Sequence, residues 1–445
     1  MELIIRQLEP CHLREYKYRG EGNANLVISL PLTRYILRFR KIEATEKRPI
    51  DGIETRILLE WRFFMKFIWK FMGKFVAPPE VLRCHPRDFT DWHEKVEVLR
   101  PGLCFTDHRK HKNSFNEFAI KLPDYAQLPE YLDVDRGKPT FCIEIKPKQG
   151  FIPESERHMQ HCPYCIKQIH KISANKRSGY CPCDLFSMDE TRVHRAIAAL
   201  FKSPQNNLII FRDGETVWGE GHSLDCLDKI LHEFFNNGSH KDNRELMAEL
   251  CLLIAEALRR EFSLEEKSTD SGVKADDIIA KSRESLNHYR SDDVSGPRGK
   301  FCDFPSGNLP DGSILGCLFR MQQLHSSSAD DVYRIYSQHS THLNEEIVYF
   351  SESCEYKSGG HSVDFGDILI LRNYLLFTTA RDCSVLLTFR EVDPGEALKI
   401  PPEHVIRSKE NTFVFNIGLT DLDPKPLNRI HKHQRRAIEG FRTSQ

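Results

Sequence analysis

Glu144-Ile145-Lys146-Pro147-Lys148-Gln149-Gly150-Phe151 carries the sharpest local signal in the chain. An apolar run, Phe141-Cys142-Ile143, leads into it, so Glu144 and Lys146 leave a buried strand on the same face. Pro147 lacks a backbone N–H and has a fixed φ, which ends regular pairing and is expected to hold Lys148 in an extended turn. Gly150 then allows a sharp change of direction. Two ammonium groups and a carboxylate thus share a stiff corner. Such a corner reads either as a surface turn with solvated lysines or as a polyanion site, since close lysines repel unless phosphate-like charge lies between them.

Upstream, Tyr18-Arg19-Gly20-Glu21-Gly22-Asn23-Ala24-Asn25-Leu26-Val27-Ile28 reads as a glycine-rich turn entering a strand. It is either a plain hairpin or a cradle whose glycines let backbone N–H groups approach phosphates. Alternation in Tyr35-Ile36-Leu37-Arg38-Phe39-Arg40-Lys41 predicts a second strand, with Leu37, Phe39 and Lys41 on one face and Arg38 and Arg40 on the other. A helix is expected from about Ile53 to Gly73. Arg62, Lys66, Lys70 and Lys74 interrupt its aromatic part every four residues, which makes it amphipathic rather than a membrane span. Residues 99–136 lack periodicity and read as loops leading to a hinge.

Downstream, His158, His161, Cys162, Cys165, His170, Cys181 and Cys183 are crowded between Glu154 and Cys183. Cys162-x-x-Cys165 with Cys181 and a nearby histidine fits tetrahedral zinc, and equally fits reduced thiols near a core. Helices are expected over Thr191–Phe201 and across most of Leu224–Phe262, with a strand at Leu208–Phe211 after the break at Ser203-Pro204-Gln205-Asn206-Asn207. Residues 263–300, rich in Glu, Lys, Ser and Asp, read as a mobile insert. Asp382 and Asp421 sit at polar tips of apolar runs, where an aspartate is either a turn residue or a candidate metal ligand or base.

The 445 residues are enough for two lobes, and the 40% hydrophobic and 29% charged content is ordinary for a globular protein. A net charge of -1 gives the chain no general attraction to nucleic acid, so any polyanion site must be a local patch. No signal-peptide layout opens the chain, and fourteen cysteines without one suggest reduced thiols. The expected setting is intracellular, cytoplasmic or nuclear, with no membrane or nucleic-acid partner and a monomer as the expected form.

Glu-Ile-Lys-Pro-Lys-x-Gly-Phe closely resembles the signature of the inositol-pentakisphosphate 2-kinases. Segments similar to that family follow in its order from about Tyr18 to about His433, including Gly-Glu-Gly-x-Ala-Asn-Leu-Val, Asp184-Leu185-Phe186-Ser187, Pro-Gln-Asn-Asn, Asp382-Cys383-Ser384 and Asp421-Leu422-Asp423. The resemblance implies an α/β (α+β), two-lobed fold with ATP between a small N-terminal lobe, 1–136, and a larger C-terminal lobe, 137–445. It implies transfer of the ATP γ-phosphate to the 2-hydroxyl of inositol 1,3,4,5,6-pentakisphosphate with magnesium, giving the hexakisphosphate, phytate. By resemblance Gly20, Gly22, Asn23, Ala24, Asn25, Arg38 and Glu144 bind ATP. The inositol phosphate falls to Lys146, Lys148, Lys171, Asn206, Lys425 and Arg429. Asp382 is then the base and a metal neighbour, Asp421 a magnesium ligand, and Lys146 also catalytic. A structural zinc is compatible with the family, though no ligand positions carry over.

The chain departs from the family pattern at four places. Lys167 stands where a histidine is usual and Ile209 where a basic residue is common, while Cys104 replaces an arginine and His433 a tyrosine. Two other readings compete: a non-catalytic inositol-polyphosphate binder that kept the fold, and a zinc-stabilised nucleic-acid binder. Retention of both Asp382 and Asp421 favours the enzyme, because a polyanion binder gains nothing from carboxylates there.

Overall fold

The computed structural model describes residues 3–8, 15–22, 24–42, 50–100, 114–157, 161–169, 171, 177–235, 242–262, 309–352, 355–358 and 361–442. The expected insert at 263–300, and Asn23, Cys104, His158 and His170, lie outside them.

Two six-stranded sheets organise the chain. The first comprises β1 (Ile5–Gln7), β2 (Lys17–Glu21), β3 (Asn25–Leu30), β4 (Tyr35–Ile42), β5 (Glu80–Arg83) and β6 (Ser114–Pro123), in the order β1-β5-β6-β4-β3-β2. The second contains β7 (Phe141–Ile145), β8 (Leu208–Arg212) and β9 (Glu215–Trp218). A separate hairpin, β10 (Glu355–Ser358) with β11 (His361–Asp364), precedes its remaining strands, β12 (Ser384–Val392), β13 (Val405–Arg407) and β14 (Thr412–Thr420). The order is β13-β14-β12-β7-β8-β9, which makes β7 a central strand. Only the β1–β5 pair is parallel among these pairings, so the class is α+β, as expected.

Alternation works as the sequence predicts on β4: Leu37, Phe39 and Lys41 are buried beneath the sheet and Arg38 faces the other way. On β7, Phe141, Ile143 and Ile145 enter a core built with Val193, Leu200 and Leu250 from the helices Glu190–Lys202 and Asn243–Arg259. Cys142 and Glu144 take the opposite face. The amphipathic helix Ile50–Phe63 continues through a π-type turn to Met72, burying Phe63, Phe67, Phe71 and Met72, while Arg62 and Lys66 pair with Glu346 and Glu352. No helix among the described residues is long and apolar enough to cross a membrane. The helix Phe365–Asp382 is buried almost throughout from Ile368 to Ala380 and delivers Asp382 from its last turn.

Residues 99–136 are not the run of loops expected. They contain β6, ten residues long, which pairs with both β4 and β5. Its polar residues obscure the alternation because the strand buries Phe118 and Ala119 on opposite sides, in two different clusters.

Candidate active site

A cavity of about 410 Å³ opens between the sheets. Gly20, Gly22 and Arg38 line it from the first sheet, and Glu144, Lys146 and Asp421 from the second. A Cβ at Gly20 or Gly22 would meet nothing within 4 Å, so neither glycine is forced by packing and both leave the backbone open to the cavity. Beside them Ala24 offers its carbonyl to Lys41 N at 2.8 Å, and Asn25 O accepts from Gly22 N at 2.9 Å. Glu21, between the glycines, is buried against Lys41 and Arg100, which fixes the turn from behind.

Arg38 is less free than a ligand-seeking cation would be. Its Nη2 lies 2.7 Å from Asp423, whose other oxygen accepts from Asn25 Nδ2 at 3.0 Å. Burial alone would raise the Asp423 carboxyl, but Arg38, then Arg40 and the Asn25 bond, hold it below its ordinary value. The Arg38 Nε is buried without a partner, which leaves a donor for a ligand in the cavity.

At the end of β7 the chain makes the expected corner, but by a different backbone. Lys146 N still bonds Asn207 O at 2.9 Å, and Lys148 then takes a left-handed φ of 62° rather than an extended one. Gly150 is required by contact: a Cβ there would fall 2.2 Å from the Phe186 ring. Gln322, fully buried, clamps the turn by accepting from Gly150 N and Phe151 N and donating to Lys148 O. Tyr180 closes it with a hydrogen bond to Pro147 O at 2.7 Å.

The corner's cations meet the two aspartates. Lys146 Nζ lies 3.3 Å from Asp421 and 3.8 Å from Glu144; burial depresses it, but Asp421 and then Glu144 outweigh that and raise it. Asp421 is exposed, has φ 63° and also accepts from Ser384 Oγ at 3.4 Å. Asp382 receives Lys425 at 3.5 Å and Arg429 at 3.3 Å; burial pushes its carboxyl up, but these cations and Arg381 hold it down and ionised. Lys148 has no carboxylate within 4.0 Å among the described residues, and burial followed by repulsion from Lys146 pulls it below a lysine's ordinary value.

The remaining predicted residues divide. Asn206 is exposed beside the corner, whereas Asn207 is buried and donates to Tyr164 at 2.7 Å. Lys171 follows the helix Pro163–Ile169, its carbonyl accepting from Arg177. Of the departures, Ile209 lines the cavity next to Glu144, its partner across the β7–β8 ladder, so it changes the cavity floor. Sequence reasoning missed Arg381, Asp423, Gln322 and the reach of Lys167 toward Lys148. Arg381 and Asp423 adjoin singled-out aspartates and could have been suspected; nothing near Gln322 announces its role.

Behind the corner, Cys162, Cys165 and Cys181 bring their sulfurs within 4.8 Å of one another, with Cys162 and Cys181 at 4.0 Å. That spacing suits Zn–S bonds of about 2.3 Å in a tetrahedron. The sulfurs share hydrogen bonds that hold the Cys181 thiol below its ordinary value and push those of Cys165 and Cys183 above it, so without a metal the cluster favours a single thiolate. Cys183 donates to Gly150 O at 3.7 Å, so the cluster abuts the corner.

A sequence model described as inositol-pentakisphosphate 2-kinase matches residues 18–438. The chain is 28% identical to the inositol-pentakisphosphate 2-kinase of Danio rerio over 466 aligned residues, covering 95% of this chain and 92% of the relative. It is 21% identical to that of Arabidopsis thaliana, covering 97% and 93%. The Drosophila melanogaster protein of the same name is 25% identical over 58% of this chain and 56% of the relative. With two sheets meeting at a cation-rich corner and a match over nearly its whole length, the chain belongs to the inositol-pentakisphosphate 2-kinase family.

Proposed function

We propose that the protein is an ATP- and magnesium-dependent kinase that phosphorylates the 2-hydroxyl of inositol 1,3,4,5,6-pentakisphosphate. The observation that carries this reading is the charge balance at the corner. Lys148, Lys425, Arg429 and Arg381 surround one carboxylate, Asp382, and Arg429 Nε is buried without a partner. Such a surplus is costly unless an anion of high charge completes it.

In this reading the two sheets belong to separate lobes, with the boundary near Gly137. ATP occupies the cavity, with the Gly20–Asn25 turn and Arg38 at its phosphates and Glu144 at the ribose. Lys146 stands between the cavity and the corner, placed to stabilise charge on the transferring group, while Lys148, Lys171, Asn206, Lys425 and Arg429 hold the inositol phosphate. Asp382, ionised and reached from the substrate side, orients and deprotonates the attacking hydroxyl. Asp421, exposed at the cavity, has the open carboxylate that a hard cation needs, and Asp382 lies nearby. Magnesium there neutralises phosphate charge. The cysteine cluster holds a structural zinc, and a chain with fourteen cysteines, of which the ten among the described residues are all outside disulfides, fits a reducing intracellular compartment.

A non-catalytic binder gains no support over this reading, since carboxylates at Asp382 and Asp421 would only repel a polyanion that is merely bound. The test is magnesium-dependent ATP consumption with purified inositol pentakisphosphate, product position being read by NMR. Formation of the 2-phosphorylated product is expected. Folded protein that binds ATP yet leaves the pentakisphosphate unchanged would sink the proposal.

A further inference from the structure

Beyond Ile145 the chain leaves the β7 ladder, so the backbone groups of residues 147–151 must find other partners in a largely buried place. Side chains supply them. The Pro147 carbonyl accepts from the Tyr180 hydroxyl at 2.7 Å, the Gly150 carbonyl from Cys183 Sγ at 3.7 Å and the Phe151 carbonyl from Gln149 Nε2 at 3.1 Å. Gln322 alone serves three more groups. Its Oε1 accepts from Gly150 N at 2.9 Å and Phe151 N at 3.1 Å, and its Nε2 donates to Lys148 O at 3.0 Å. The residue so clamped, Lys148, is the one that carries the left-handed φ of 62°.

Gln322 is the last residue of the helix Ile314–Gln322, which is buried along nearly its whole length. That helix packs against Phe365–Asp382, the helix that ends on Asp382. His325, just beyond Gln322, lies against the Tyr374 and Phe377 rings of the same helix at 4.9 and 4.8 Å. Arg381 reaches back from it to Gln149 Oε1 at 3.3 Å. The lysine corner and the Asp382 carboxylate therefore share one packed frame. An amide suits this place better than an acid. A carboxylate could accept from the same two N–H groups, but it could not donate to Lys148 O, and it would bury an anion beneath a lysine that has to meet phosphate.

We propose that Gln322 is a positioning residue for the inositol phosphate: fully buried, it does not touch the ligand, but by holding the Lys148 backbone in its left-handed turn it aims that ammonium at the substrate. The inference rests on the kinase reading above and adds to it a residue outside the pocket that sets substrate affinity. The ATP contacts assigned to the Gly20–Asn25 turn and Arg38 do not pass through this clamp. A glutamine that served stability alone would lower the folded fraction and weaken both ligands alike.

The experiment is a double-mutant cycle. Calorimetry gives the affinities of wild type, Gln322→Met, Lys148→Ala and the double variant for inositol 1,3,4,5,6-pentakisphosphate and for ATP, at a temperature where circular dichroism shows each folded. Methionine keeps the length of glutamine without its hydrogen bonds. Alanine at 148 keeps a Cβ, and so the same backbone preference, while removing the ammonium. Gln322→Met should weaken pentakisphosphate binding by roughly tenfold or more in the wild-type background, and by at most about twofold once Lys148 is alanine. ATP affinity should stay within about twofold throughout. Additive losses in the cycle, or equal losses for the two ligands, overturn this inference and leave the pocket standing. If the methionine variant does not fold, Gln322→Glu keeps the acceptor for both N–H groups and lacks only the donor and the neutrality. It should bind the pentakisphosphate poorly at pH 8, and wild-type affinity there overturns the inference as well. Absence of pentakisphosphate binding by wild type overturns the pocket assignment and this inference with it.

Discussion

Lys148 and Asp421 share an uncommon backbone, with φ of 62° and 63°, and they flank Lys146 at the junction of cavity and corner. A left-handed conformation costs about 1–2 kcal/mol for an ordinary side chain, so two such residues in one site mark positions held for something other than stability. Lys148 adds burial and repulsion from Lys146. Lys148→Gly should therefore keep or raise the melting temperature while weakening inositol pentakisphosphate binding by roughly 1.5–3 kcal/mol, the scale of a charge-assisted hydrogen bond. ATP affinity should change much less. Equal calorimetric losses for both ligands would mean that the corner is not the substrate wall. Asparagine tolerates left-handed φ at least as well as aspartate does. Asp421→Asn thus removes charge without disturbing the turn, and Asp382→Asn does the same at a helix end. Each should fold normally and lose about two orders of magnitude in kcat or more. Steady-state rates close to wild type for either variant would cancel that residue's role.

At the scale of elements, the corner is fixed by what lies behind it: the Phe186 ring against Gly150, Gln322 across the turn, and Cys183 on the Gly150 carbonyl. Gly150→Ala should cost at least the roughly 1–3 kcal/mol of an overpacked site, read by denaturant unfolding, because the obstructing atoms are a ring wedged in the core. Phe186→Leu in the same chain should recover part of that loss; no recovery would place the strain elsewhere. If the thiols of Cys162, Cys165 and Cys181 hold zinc, metal analysis should find about one ion per chain, and Cys162→Ser should lose it together with thermal stability. Because Cys183 links the cluster to the corner, the zinc-free protein should also show a raised KM for the inositol phosphate. Metal-free protein of unchanged stability would return these thiols to the ordinary core. Much of this level was legible beforehand, since β4, β7 and the amphipathic helix follow their periodicities closely. β6 was not, because a strand with buried residues on both faces loses the alternation that announces it. Gly150 was recognised as a special position for the wrong reason: sequence suggests a turn, whereas only coordinates reveal the ring that excludes a side chain.

Across the whole molecule, three arginines of the first sheet or its turns reach carboxylates outside it: Arg19 to Asp124, Arg34 to Asp133, and Arg38 to Asp423. Asp133 also receives Arg390 of β12, and Asp423 lies just beyond β14, so two of these pairs tie the sheets together beside the cavity. Such ties could not be read from sequence, because their partners are separated by about a hundred residues or several hundred and any one of them resembles a solvated charge. Their pH signature follows from the direction of the shifts. Burial pushes Asp133 and Asp423 up, but Arg34 and Arg390 for the first, and Arg38 for the second, hold both below the ordinary carboxylate value. A depressed carboxyl contributes stability that is fully present above the unfolded-state pKa, near 3.9, and is lost as pH falls through the lower folded value. Asp423→Asn leaves Arg38 without its counter-charge, and should cost at or below the lower end of the roughly 3–5 kcal/mol of a broken buried pair, because the side chain is 23% exposed. Urea unfolding of wild type and variant should differ most between pH 5 and 7, and the difference should shrink as wild type is acidified below about pH 4. Salt should matter little to this difference, unlike binding at the cation-rich corner, because a partly buried pair is screened less than a ligand meeting an open pocket. A gap between the two proteins that stays constant into acid would mean that Asp423 acts through packing or its Asn25 hydrogen bond, and that charge does not hold the sheets together here.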